Sequence, residues 1–162
     1  FLSLSLQNTV AGCSCMVNQR CIQAALPFPQ STIMHDWWLA LIASRCGIVK
    51  FSSTALLSYR QHDNNVVGAQ GYLKQILSRL SQLSTKYIEQ SIAMPVYQLQ
   101  ECVRFYPFSD SLDNLYIRNL SHCNPFNRLK SSLLLGLRKH GILRTFFFYF
   151  TLLLWFPNSK SR

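Results

Sequence analysis

The stretch NTVAGCSCMVN, Asn8 to Asn18, decides how the chain reads. Its residues are small or β-prone, and they predict a strand, or a strand running into a loop, over 8–18. In an extended chain Cys13 and Cys15 fall on the same side, which suits core packing. QRCIQAAL (19–26) then predicts a short helix, stopped by the PFPQ of 27–30. A longer helix is expected over IMHDWWLALIASRC (33–46), where Ile33, Trp37, Leu41 and Ser44 recur at intervals of three or four. Ser31 or Thr32 is placed to cap its start and Gly47 to close its end. IVKF (48–51) and ALLSYR (55–60) are further strand candidates, and QHDNNVVGAQG (61–71) is a polar, glycine-containing loop. The first seventy residues therefore predict a mixed α/β region.

From Tyr72 the pattern changes. Leu73, Ile76, Leu77, Leu80, Leu83 and Tyr87 keep helical spacing, and three further helix candidates follow, punctuated by Pro95, Pro107 and Pro125. A division near residue 70 is expected, with 1–70 mixed and 71–162 helical.

The helical part is also the basic part. The net charge is +10, and no acid follows Asp113, while Arg118, Arg128, Lys130, Arg138, Lys139, Arg144, Lys160 and Arg162 do. Such a tail meets nucleic acid or an anionic membrane surface. TFFFYFTLLLWF (145–156) lies within it and is shorter than the roughly 20 apolar residues a spanning helix needs. An interfacial amphipathic helix fits better, a buried core helix is the other reading, and no nucleic-acid module is recognisable. With 49% hydrophobic residues the chain has material for a sizeable core. FLSLSL lacks the layout of a signal peptide and reads as a chain beginning within a domain. Six cysteines without a C-x-x-C pair read as free thiols in a reducing cytosol.

Two clusters carry potential chemistry. In HDWW, Asp36 is either an acid favoured by a helix N-terminus or a general base in a cleft walled by Trp37 and Trp38. In YRQHDNN, Arg60, Gln61, His62 and Asn65 form a solvated turn or a site for phosphate and metal.

Together, the Gly-Cys segment, HDWW and YRQHDNNVVG, in this order and spacing over residues 8–70, resemble family 2 glycosyltransferases of the rhamnosyltransferase-like subgroup. The resemblance implies the C-terminal portion of a GT-A nucleotide-diphospho-sugar transferase fold, with 1–70 as its acceptor-side half and 71–162 as a helical, membrane-facing tail. It implies an inverting transfer from a nucleotide-diphosphate donor to a glycan or glycolipid hydroxyl, in cell-surface polysaccharide synthesis at the cytoplasmic face of a bacterial membrane. Asp36 matches the catalytic base. Trp37 and Trp38 match the acceptor-side wall, His35 a substrate-binding position, and Gly12 and Cys13 the floor near the transferred sugar. Arg60 and His62 match residues near the donor diphosphate and its divalent metal, magnesium or manganese, with Gln61 beside them, and Asn65 matches a substrate-binding position. The D-x-D metal motif of the family is absent from the sequence, as is the nucleotide-binding half, so the isolated chain is expected to be inactive. The alternative is a catalytically inactive, membrane-peripheral interaction protein.

Overall fold

A computed structural model of the chain describes residues 1–58, 89–109, 111–122 and 124–155. Among these residues every regular element is helical: α1 (Leu2–Ser5), a 3₁₀ turn (Gly12–Ser14), α2 (Gln19–Ala25), α3 (His35–Cys46), a π turn (Glu89–Ala93) leading into α4 (Met94–Phe105), α5 (Ser111–His122), α6 (Pro125–Leu134) and α7 (Ile142–Leu154).

The α/β expectation, and with it the GT-A fragment, is thereby overturned. No strand forms among the described residues. The reason is visible in where the backbone donors of 8–18 go. A strand needs a ladder partner for its N–H groups. Here Val10 N–H donates to Asn8 Oδ1 at 2.9 Å and Gly12 N–H to Asp36 Oδ2 at 2.8 Å. Ser14 and Cys15 donate to the carbonyls of Ala11 and Gly12. The backbone is extended at Ala11 and Cys15, but its hydrogen bonds are used locally, by side chains and a tight turn. Residues 48–58 likewise form neither helix nor strand and are exposed throughout.

The helical expectations fare better. Asn18 caps α2 by accepting from Cys21 N–H at 2.8 Å. Asn124 and Pro125 open α6, and Gly136, at φ +63, closes it with a Leu137 N–H to Ser132 carbonyl bond of 2.9 Å. The start and end of α3 differ from expectation: Met34 occupies the N-cap without a side-chain bond, and Gly47 lies at φ −163, extended rather than left-handed.

Two apolar clusters form the core. One joins Leu4, Ala25, Cys102 and the inward residues of α3. The other joins Leu6 and the inner faces of α4, α5 and α7, closed by Leu135, Leu137 and Trp155. α4 serves both. Its residues Val96, Leu99 and Val103 face the second cluster, and Cys102 reaches the first. Polar ties cross the same seam. Ile33 N–H donates to the buried Gln98 Oε1 at 2.9 Å, and Tyr106 donates its hydroxyl proton to the Ala24 carbonyl at 2.9 Å. Arg45 donates from Nε to the Tyr106 carbonyl at 2.9 Å, with its guanidinium 4.2 Å from the Phe108 ring centre. Segments from both sides of residue 70 thus share one interior.

Cys102 carries a pH consequence. Burial, helped by nearby Cys46 and opposed by Arg45, pushes its thiol from 9.0 up to about 12. The folded thiol stays protonated where the unfolded one ionises, so its contribution is intact below about pH 9 and is lost as pH rises towards about 12. In urea unfolding, Cys102→Ala is expected to show a shallower alkaline loss of stability than the parent chain. An identical decline in both would remove Cys102 as its source.

Candidate functional site

α3 begins at His35 and puts Asp36 in its first turn, where the positive end of the helix favours a carboxylate. Asp36 is only 4% exposed, so its oxygens must be satisfied within the protein. Oδ1 accepts from Trp37 N–H at 2.7 Å and from the Asn8 side-chain amide at 3.0 Å, and Oδ2 accepts from Gly12 N–H at 2.8 Å. The Trp37 N–H is one of the helix donors that lack an intrahelical partner, so Asp36 caps α3 from within its first turn.

Gly12 eases this closeness. A Cβ there would stand 3.1 Å from His35 Nε2 and 3.3 Å from Asp36 Oδ2, tighter than ordinary contact. The glycine lets the loop backbone meet the start of α3 directly. Gly12, His35 and Asp36 therefore form one cluster. Cys13 follows in the exposed 3₁₀ turn, and the His35 side chain is exposed as well.

The tryptophans point elsewhere. Trp37 donates its indole N–H to the Leu4 carbonyl, and Trp38 donates to the Ala25 carbonyl at 2.9 Å. Both lie in the first core cluster, with Trp38 edge-on to Phe105 at 6.3 Å. The structure places them as the packed interior that holds α1, α2 and α4 against α3. Arg60, Gln61, His62 and Asn65 lie outside the described residues.

Asn8 was not anticipated. Its amide donates to Asp36 while its Oδ1 holds Val10 N–H, so one side chain folds the loop and orients the acid. The signal in the sequence was an Asn ahead of a short β-prone run, a position that suits an Asx turn as well as a strand start.

A carboxylate offers about four lone-pair positions. Three N–H donors occupy Asp36, two on Oδ1 and one on Oδ2. What the arrangement can do is hold a fixed carboxylate with one remaining acceptor position, on Oδ2, next to a glycine and an exposed imidazole. No group of three or more His, Cys, Asp or Glu is placed to hold a metal among the described residues, and His62, which the resemblance sets near the divalent ion, lies outside them. At the opposite end of α3 a cavity of about 200 Å³ is lined by Asn18, Arg20, Cys21, Ala24, Cys46 and Ile48 among others. It contains none of the expected site residues, and burial pushes both its thiols up, away from the reactive thiolate form.

Compared with protein-family models, curated proteins and solved structures, the chain matches none.

Proposed function

We propose that the chain acts on the acceptor side of glycosyl transfer, with Asp36 taking the proton from an attacking hydroxyl of a glycan or glycolipid as a sugar leaves its nucleotide-diphosphate donor. One observation carries the reading. The Gly12 N–H to Asp36 Oδ2 contact of 2.8 Å joins the Gly-Cys segment to HDWW, two motifs of the resemblance that are separate in sequence.

The chemistry is that of a positioned base. An alcohol is a weak nucleophile near neutral pH, and removing its proton as the new bond forms accelerates attack. Asp36 supports this role by orientation. Asn8, Gly12 and the helix start hold the carboxylate in one rotamer, and the acceptor position left on Oδ2 receives the hydroxyl proton. His35, exposed beside it, is placed to hydrogen-bond the acceptor sugar. Arg60, Gln61, His62 and Asn65 belong, on this reading, to the donor diphosphate and its divalent metal, and the setting is cell-surface polysaccharide synthesis at the inner face of a bacterial membrane.

The test is saccharide binding followed by amide chemical shifts. Adding short oligosaccharides from a panel that includes rhamnose-containing chains is expected to move the Gly12 and His35 amides. A panel that leaves both unmoved at saturating sugar would end the acceptor-side reading.

A further inference from the structure

α7 is apolar on two opposite sides, and among the described residues only one of them packs against the core. Phe148, Thr151 and Leu152 are buried against the second core cluster. Ile142, Leu143, Phe146, Phe150 and Leu154 are exposed, Ile142 by 89% and Phe146 by 65%. At 3.6 residues per turn these five fall within an arc of about 120° on the side away from the core, along about 18 Å of helix. No polar side chain interrupts that arc. Thr151 donates its hydroxyl proton to the Phe147 carbonyl at 2.7 Å and Thr145 to the Lys139 carbonyl at 2.8 Å, while the Tyr149 hydroxyl donates to the Leu137 carbonyl at 2.7 Å. A solvated helix normally presents charges on its outer face. Here the outer face is aromatic and aliphatic.

The charge around this face identifies its occupant. The turn that delivers the chain into α7 carries exposed Arg138 and His140, and exposed Lys130 lies on α6, the preceding helix. No acid follows Asp113 in the sequence, so the segment that carries α6 and α7 has only basic charged side chains. A second copy of the chain would bring the same positive charge, from a total of +10, to the contact. An anionic bilayer brings the complement. The 13 residues of α7 span about 20 Å, short of the roughly 30 Å of a hydrocarbon core. No described helix is long and apolar enough to cross a membrane. We infer that α7 lies flat in the interface of an anionic lipid bilayer, its Ile142–Phe146–Phe150–Leu154 ridge among the acyl chains and the cationic turn before it against the headgroups. The inference uses no residue of the Asp36 cluster, so the two readings stand or fall separately.

The experiment is flotation of the full chain with vesicles of phosphatidylcholine alone and of phosphatidylcholine mixed with phosphatidylglycerol, at low and high salt. The chain is expected to float with the phosphatidylglycerol vesicles, less so at high salt and weakly with phosphatidylcholine alone. Phe146→Ser combined with Phe150→Ser should reduce partitioning by at least about tenfold, with unchanged circular dichroism because both side chains are exposed. Arg138→Glu should weaken binding to the anionic vesicles only. Flotation by the double variant equal to that of the parent chain overturns the inference. So does a parent chain that stays with the free protein, including the case where sedimentation shows the face buried in a dimer of the chain.

Discussion

On the proposed acceptor-side reading, and with the nucleotide-binding half that this sequence lacks supplied, Asp36→Asn is expected to lower glycosyl transfer by about 10²–10⁴-fold, the usual contribution of a positioned general base, with acceptor binding retained. The substitution keeps the shape of the side chain and removes the proton acceptor. Its structural effect can be anticipated from the three donors on the carboxylate. The amide oxygen can replace Oδ1 and still accept from Asn8 and Trp37, but the amide nitrogen then faces Gly12 N–H, donor against donor. Leaving that part-buried N–H unpaired costs up to about 1–3 kcal/mol, so turnover must be measured per folded molecule, below the melting range of the variant. Asn8→Ala provides the control. It removes one donor from Oδ1 and leaves the carboxylate, so it should lower stability comparably and turnover far less. Equal turnover losses in the two variants would make Asp36 a staple between loop and helix and nothing more.

That contrast follows from how the region is built, and it marks what the sequence made legible. The helices from α4 onward could be read from the apolar pattern between Pro95, Pro107 and Pro125, because those signals are local, while the helix expected from Tyr72 to Tyr87 lies outside the described residues. Gly136 and Asn124 act where they stand in the chain, and so does Asn18. The strand expected over 8–18 depended on something non-local, a neighbouring backbone to pair with, and β-prone composition carries no information about whether one is present. The backbone donors there found Asn8, Asp36 and a 3₁₀ turn instead. The proximity of Gly12 to Asp36 was not legible in the sequence, since the two are 24 residues apart and no local rule joins them. Nor could spacing say which way the tryptophans face. Both point inward because α1 and α2 supply backbone carbonyls that meet the two indole N–H groups. For α7 the sequence showed an apolar run, and the structure divides it into a core side and an outward side.

The position of Trp38 leads to the largest expected effect on stability. Trp38→Ala is expected to lower the unfolding free energy by about 3–5 kcal/mol, a large share of the roughly 5–15 kcal/mol of a typical domain. The indole is 1% exposed, belongs to the cluster of α1, α2, α3 and α4, and stands edge-on to Phe105. Truncation opens a cavity between helices that cannot all close in on it, and it leaves the Ala25 carbonyl without its 2.9 Å donor. Trp38→Phe separates the two losses. It keeps most of the apolar area and removes only the N–H, at an expected cost of about 1–3 kcal/mol. Urea unfolding at constant slope measures both. A tryptophan lining an open sugar-binding cleft would behave in the reverse manner, with saccharide affinity falling on truncation and the midpoint hardly moving. A Trp38→Ala midpoint within error of the parent would therefore contradict the packing described for α3, and would return this side chain to the acceptor wall that the resemblance implies.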